Sequence, residues 1–255
     1  MPHPIDSHDP DADLERAARL LRAADRVAVL TGAGVSAESG VPTFRDAGGL
    51  WEGHRVEDVA TPSAFARDPA LVWQFYNARR AALRTVRPNP GHHALAALEE
   101  RLGPGRFTLI TQNVDGLHRA AGSRHVLEVH GSLARVRCTG CDVVEERPDE
   151  ALDALPRCRG CGALLRPDVV WFGEMLPERV WNEALAAASA CRCFLVVGTS
   201  AVVYPAAGLV GMARGVPVIE VNLEPSAVSR RVTVGLYGRS GEVLPRLVER
   251  AARDA

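Results

Sequence analysis

The chain has 255 residues, 47% hydrophobic and 24% charged, which is enough for one large core or two modest ones and excludes disorder, collagen or coiled coil as descriptions of the whole. Its formal net charge of −1, with neither half strongly basic, argues against a dedicated nucleic-acid surface. All 30 basic residues are Arg, so no chemistry in this protein can use a lysine of the chain's own.

The first residues, Met1-Pro2-His3-Pro4-Ile5-Asp6, lack the cationic and apolar regions of a signal peptide. No apolar run approaches the ~18 residues of a membrane span, so a cytoplasmic location without membrane contact is expected. Residues 1–13 are rich in Asp, His and Pro without apolar periodicity and read as a flexible tail. A helix is predicted over Leu14 to Ala24, a buried strand over Val27 to Leu30, then a glycine-rich turn. Further strands are predicted over Phe107 to Thr111, Val126 to His130, Phe194 to Val197 and Val216 to Val221, with helical stretches between several of them. That alternation predicts an α/β fold with a Rossmann-like parallel sheet, its ligands gathered at the carboxyl ends of the strands. Two segments break the alternation. Residues 50–87 carry aromatic and helical signals without a strand, and residues 137–166 carry paired cysteines, prolines and charges. Both read as insertions forming a smaller domain of one helical and one cysteine-bearing module, leaving 14–49, 88–136 and 167–255 for the large domain. Cys191 and Cys193 read as buried strand residues rather than a reactive pair.

The strand Val27-Ala28-Val29-Leu30 enters Thr31-Gly32-Ala33-Gly34-Val35-Ser36-Ala37, which satisfies the G-x-G-x-x-G/A dinucleotide pattern in a strand-turn-helix setting. Glycines would let the backbone approach a pyrophosphate; a tight turn without a ligand is the competing reading. The second strand ending in an acidic residue, which hydride-transfer enzymes place ~20 positions on, is missing, and Glu38 to Asp46 reads as a loop. Cys138-x2-Cys141 and Cys158-x2-Cys161 enclose 16 residues and have the spacing of two knuckles around one tetrahedral zinc, with a redox dithiol or disulfides as the alternative. Four thiolates would leave no position for water, so such a zinc is structural. Thr111-Gln112-Asn113-Val114-Asp115-Gly116-Leu117-His118 follows a strand and reads either as a polar crevice for ribose and carboxamide groups or as a capped turn. His130 also ends a strand. Its imidazole could take a proton from a hydroxyl or be structurally satisfied.

Taken together, the run from Gly32 to Asp46, Thr111 to His118, His130-Gly131, the paired cysteines, Val169-Val170-Trp171-Phe172-Gly173-Glu174, Gly198-Thr199-Ser200 and Val221-Asn222-Leu223-Glu224-Pro225 resemble the sirtuin family, in family order over about residues 14 to 250. The resemblance implies an NAD-dependent protein lysine deacylase that consumes NAD+ as co-substrate. In that chemistry the acyl-lysine carbonyl oxygen attacks the ribose carbon bearing nicotinamide, which leaves, giving an alkylimidate. A base matching His130 then activates the ribose hydroxyls so that the 2′-oxygen attacks the imidate, and water completes the reaction to free lysine and 2′-O-acyl-ADP-ribose.

By the same resemblance Gly32, Ala33, Gly34, Ser36, Thr43, Phe44 and Arg45 border the diphosphate and nicotinamide ribose, with Phe44 shielding the reactive carbon. Gln112, Asn113 and Asp115 order the ribose and the nicotinamide pocket, Asn113 alongside His130 in catalysis. Gly198, Thr199 and Ser200 match the second nucleotide contact, Asn222, Leu223 and Glu224 the adenosine ribose, and Ser240 the adenine-side loop. An acyl-lysine peptide is implied as an added strand against Val170, Trp171, Phe172, Gly173 and Glu174. The zinc ligands are Cys138, Cys141, Cys158 and Cys161, and a monomer is expected.

Asp68-Pro69 is a good helix start, and at about 100° per residue it sets Arg79 within an apolar stripe of Val72, Phe75 and Leu83 and turns Arg80 to the rim. Read alone, Arg79 pairs with a carboxylate of the protein or reaches solvent. Tyr76-x-x-Arg79 resembles, however, the pair marking the desuccinylase and demalonylase branch of sirtuins, and Ala47 resembles that branch's small pocket residue. This implies that Arg79 pairs with the distal carboxylate of succinyl- or malonyl-lysine and that Tyr76 donates a hydrogen bond, with weaker deacetylation. Asp46 is an acidic neighbour that could engage Arg79 instead. Rival classes are a mono-ADP-ribosyltransferase using the same NAD site, a non-catalytic NAD-binding or zinc-stabilised module, and a hydride-transfer enzyme.

Overall fold

The structure, a computed structural model, describes residues 9–43, 50–51, 53–148, 152–153 and 155–253. Phe44, Arg45, Asp46 and Ala47 lie outside the described residues. The Asp9 side chain accepts from the Asp11 amide and Pro10 occupies the first helical turn, so α1 (Pro10–Arg22) begins inside the stretch expected as a tail. An N-cap and a Pro with its φ already set offset the missing apolar periodicity there.

In chain order α1 is followed by β1 (Val27–Thr31), the single turn α2 (Gly34–Ala37), a hairpin of β2 (Leu50–Trp51) and β3 (His54–Arg55), then α3 (Val56–Val59), α4 (Pro62–Arg67) and α5 (Pro69–Leu83). Next come α6 (Pro90–Leu102), β4 (Phe107–Thr111), α7 (Leu117–Ala120), β5 (Val126–Glu128), β6 (Gly131–Cys138), β7 (Val144–Glu146) and β8 (Leu165–Val169). The chain closes with α8 (Glu178–Ala190), β9 (Cys193–Val197), β10 (Val218–Asn222), β11 (Val234–Tyr237) and α9 (Ser240–Ala252).

Six strands form one parallel sheet in the order β11-β10-β9-β1-β4-β5. Every residue of β1 and β9 is buried, as a sheet covered on both faces requires. One face packs under α1, α6 and α9 through Leu14, Leu21, Leu95, Leu98, Leu244 and Leu247. The other packs under α8 and the 3₁₀ turn Ala206–Gly211 through Ala184, Ala188, Leu209 and Val210. The strand order reverses between β1 and β9, which opens a crevice at the carboxyl ends of β1, β4 and β9.

A third apolar cluster joins the helical segment to the cysteine-bearing one: Val59, Phe65, Val72, Trp73, Phe75 and Tyr76 pack with Leu133, Val136, Cys138, Cys158, Leu165, Val169 and Trp171. Here β6 pairs antiparallel with both β7 and β8. That sheet starts at Gly131 and ends at Val169, extending past both ends of the 137–166 segment. Asp68 caps α5 through the Leu71 amide at 3.0 Å, with Pro69 in the first turn as the sequence predicts. Trp73 Nε1 donates to Leu165 O at 2.8 Å and fixes α5 against β8.

The expected outward turn of Arg80 is corrected: Arg80 is buried and donates to the carbonyls of Leu133 and Arg147. The helix has a second covered side, against β6 and its continuation, that its apolar stripe does not reveal. There the guanidinium satisfies the carbonyl of Leu133, within the register irregularity of β6, and that of Arg147, just beyond β7.

Candidate active site

Three glycines shape the crevice, and the reason is contact of the chain with itself. A Cβ on Gly32 would lie 2.7 Å from Thr199 Cβ, one on Gly34 would lie 2.7 Å from Gly198 O, and one on Gly198, whose φ is +56°, would overlap the Val35 amide. The turn after β1 thus rests backbone to backbone on the turn after β9, joined by Gly34 N to Gly198 O at 2.8 Å. Ala33 between them is exposed. Gln112 Nε2 donates to Thr199 Oγ1 at 3.1 Å, and Asn222 Nδ2 donates to Thr199 O at 3.0 Å, so the ends of β4, β9 and β10 are bound into one rim.

Beneath the rim lies a polar chain whose donor directions can be worked out. The Asn89 amide donates to His92 Nδ1 at 3.3 Å, so the neutral ring carries its hydrogen on Nε2 and donates to Ser36 Oγ at 3.3 Å. Asn113 Nδ2 donates to the same Ser36 Oγ at 3.0 Å and to Gly32 O at 3.1 Å. Ser36 in turn donates to Asp115 Oδ2 at 2.7 Å, while Asp115 Oδ1 accepts the Leu117 amide at 2.9 Å.

Burial raises the Asp115 carboxyl pKa, opposed by these hydrogen bonds and by the positive charge of Arg79. His92 is pushed down to about 4 by burial and by the neighbouring His93. His118, whose ring centroid is 4.8 Å from that of His92, is pushed down to about 3, again chiefly by burial. His118 closes the polar run that the sequence marks from Thr111, whereas His92 lies outside every motif read there. The Asn89-Pro90 helix start, which closes a capping box through His92, was the available signal.

His130 stands at the end of β5, half-buried, with Nδ1 3.0 Å from Gln112 O. A carbonyl can only accept, so Nδ1 carries the hydrogen and Nε2 is left as an acceptor with no hydrogen-bond partner among the described residues. Burial lowers the pKa of this imidazole, and the Gln112 contact offsets only part of that shift. The neutral ring is a proton acceptor with a fixed tautomer. Gly131 next to it has φ +82°, and a Cβ there would overlap Asp168 O.

The chain returns past His130, because Val170 N donates to His130 O at 2.9 Å. Phe172 N then donates to Ala60 O at 3.0 Å, Gly173 takes φ +88°, and Phe172 is 51% exposed. Glu174 turns back to bind Arg166 at 2.6 and 2.9 Å and to accept the Trp171 amide at 2.8 Å. Its pKa falls because those bonds outweigh burial. On α5 Tyr76 is fully buried, and the Arg79 guanidinium carbon lies 5.9 Å from the Tyr76 ring centroid and 5.6 Å from that of Phe75.

Of the remaining positions, Thr43 ends the first described stretch and Ser200 is half-buried beside Thr199. Leu223 and Glu224 are exposed at the end of β10, and Ser240 is buried at the start of α9.

The sulfur atoms of Cys138, Cys141, Cys158 and Cys161 lie within 4.8 Å of one another, and all four cysteines are free. The separations of 3.4 Å (Cys138 to Cys161), 3.8 Å (Cys141 to Cys158) and 3.5 Å (Cys141 to Cys161) are far too long for S–S bonds. They match the edges of a tetrahedron whose metal–sulfur bonds are about 2.3 Å, so the cluster fits one structural zinc.

The Sir2 family profile matches residues 32–205. The chain belongs to the Sir2 family. This sirtuin is 54% identical over 238 residues to NAD-dependent protein deacylase 2 of Pyrobaculum aerophilum, covering 92% of this chain and 95% of that one. It is 46% identical over 263 residues to the mitochondrial NAD-dependent protein deacylase sirtuin-5 of Canis lupus familiaris, covering 92% and 85%. The crystal structure of a Sir2 homolog–NAD complex matches it with a TM-score of 0.87 at 45% identity, covering 93% of each chain. The sirtuin is an NAD-dependent protein deacylase with NAD+ as co-substrate, and the predicted Rossmann-like sheet and four-cysteine module are both present. No helix among the described residues is long and apolar enough to cross a membrane.

Proposed function

We propose that this sirtuin removes succinyl and malonyl groups from protein lysines, and acetyl groups more slowly, releasing nicotinamide and 2′-O-acyl-ADP-ribose. The observation that carries the acyl preference is the pairing on α5 of a buried phenol, Tyr76, with the half-buried guanidinium of Arg79, whose charge reaches the Asp115 carboxylate. A cation beside a phenol offers a dicarboxylic acyl chain a charge-assisted pair that a methyl group cannot use. The likeness to sirtuin-5 supports the same reading.

In this reading His130 Nε2 takes the proton of a ribose hydroxyl. Asn113 and Asp115, held by Ser36, order the ribose and carboxamide of NAD+ together with Gln112. The paired turns at Gly32 to Ser36 and Gly198 to Ser200, with Thr43, Asn222, Leu223, Glu224 and Ser240, line the rest of the dinucleotide. The peptide lies against Val170 to Glu174 as an added strand, where the exposed Phe172 and Met175 supply apolar surface. The small domain of 50–87 and 137–166 forms the acyl-binding wall, and the protein acts as a soluble cytoplasmic monomer without nucleic acid.

Kinetics on one peptide carrying acetyl, malonyl or succinyl groups test the preference. Arg79→Met is expected to cut kcat/KM for the acidic acyl groups at least about tenfold more than for acetyl. Equal losses on all three substrates would remove the acyl assignment. Mass spectrometry of the products separates acyl-ADP-ribose from ADP-ribosylated protein.

A further inference from the structure

Trp171 belongs to the segment assigned above to the peptide backbone, yet its side chain points away from that duty. The indole is buried, and its Nε1 lies 3.0 Å from the hydroxyl oxygen of Tyr76. It is clamped in place: the Arg166 guanidinium carbon stacks 3.4 Å from the ring centroid, and the Phe65 ring sits 5.3 Å away on a tilted plane. Arg166 is itself held by both oxygens of Glu174 and by Val169 O at 2.8 Å.

An indole N–H can only donate, so in this contact the Tyr76 oxygen must accept. A phenol carries one hydrogen. Among the described residues no acceptor takes it, although Tyr76 is fully buried and a buried donor left unmet is costly. Burial also raises the phenol's pKa, so the hydrogen stays on the oxygen at neutral pH. Accepting a hydrogen bond polarises the hydroxyl and makes its own hydrogen a better donor. The Arg79 guanidinium carbon lies 5.9 Å from the same ring, so the unmet Tyr76 hydrogen sits in a positive field that favours an anionic acceptor.

We infer that Trp171 is a positioning residue for acyl selectivity: by donating to the Tyr76 oxygen it commits the single Tyr76 hydrogen to the terminal carboxylate of a dicarboxylic acyl-lysine. The inference rests on the acyl preference proposed above and adds to it a residue that acts through Tyr76 rather than on the substrate. Arg166 and Glu174 set the angle at which the indole meets the phenol. They thereby tie the peptide-binding segment to the acyl pocket.

The test is the ratio of desuccinylation to deacetylation kcat/KM on matched peptides for wild type, Trp171→Phe, Tyr76→Phe and the double variant. Trp171→Phe is expected to lower the ratio about tenfold, beyond any common loss from weaker peptide binding, and to change it no further in the Tyr76→Phe background. A ratio untouched by Trp171→Phe overturns the inference, as does the same fall in both backgrounds. Should Trp171→Phe fail to fold, benzothienylalanine at position 171 keeps the ring shape and replaces the N–H with sulfur. The ratio must fall there too, and an unchanged ratio again overturns the role. Wild-type enzyme without desuccinylase or demalonylase activity removes the functional reading itself and this inference with it. A wild-type preference that survives loss of the indole N–H removes only the role of Trp171.

Discussion

His130 and Gln112 are joined by a hydrogen bond of 3.0 Å from the ring Nδ1 to the main-chain carbonyl, which fixes the tautomer of the imidazole before any substrate arrives. The partner is backbone at the end of β4, so the imidazole is referenced to the central sheet and not to a mobile side chain. Its hydrogen-accepting nitrogen is thereby defined by the fold alone.

Replacing His130 with Ala is expected to reduce deacylation by roughly 10²- to 10⁴-fold while the melting transition is retained. Activity needs the ring neutral. Because burial lowers its pKa below the ordinary 6.5, kcat/KM should rise with pH through a limb lying below that value and stay flat above it. An acid limb centred above 6.5, or turnover undiminished in the variant, would contradict the assignment.

The adjacent buried rings of His92 and His118 predict acid sensitivity of the fold. Their native pKa values, about 4 and about 3, lie below the unfolded value of 6.5, so between these limits the unfolded chain binds more protons. Stability is therefore fully present above about pH 6.5 and falls as pH drops toward about 4, by up to about 1.4 kcal/mol per pH unit for each imidazole. Urea unfolding at about pH 7, about pH 6 and about pH 5 reads this slope, and His118→Gln should flatten it. Equal slopes in the two proteins would refute an origin in the buried imidazoles.

Metal analysis should return about one zinc per chain, and Cys158→Ser should lose it. Cys158 and Cys138 belong to the same apolar cluster as Tyr76 and Trp171, so the loss is expected to disturb the packing of α5 and abolish activity through the small module's fold. Folded, active protein without zinc would sink the four-thiolate reading.

Gly131→Ala combines a positive φ with an overlap on Asp168 O that only backbone movement can relieve. The expected destabilisation is about 3 kcal/mol or more, read from denaturant midpoints. A change under about 1 kcal/mol would mean that β6 and β8 separate easily.

The sequence makes the central strands legible because a doubly covered parallel strand is a continuous apolar run, as Val27 to Leu30 and Phe194 to Val197 are. It also makes the metal cluster legible, because knuckle spacing survives any fold around it. It does not mark β11, a short edge strand broken by Gly235. There the Tyr237 ring folds back over the glycine, whose Cβ would sit 2.5 Å from the Tyr237 hydroxyl. Nor does it mark contacts between distant segments: Ser36 and His92 are 56 positions apart, Tyr76 and Trp171 are 95 apart, and neither pair leaves a local pattern. The burial of Arg80 escapes for the same reason, since its acceptors are main-chain atoms of strands far along the chain.

Only Val129 and His130 separate the end of β5 at Glu128 from the start of β6 at Gly131, the first strand of the cysteine-bearing sheet, and the returning chain is stitched to that corner at Val170 N and His130 O. Two of the chain's crossings between the two sheets therefore coincide at His130. Any rotation of one sheet against the other through this double crossing would turn the torsions flanking the imidazole, so the direction of its free nitrogen follows the angle between the sheets.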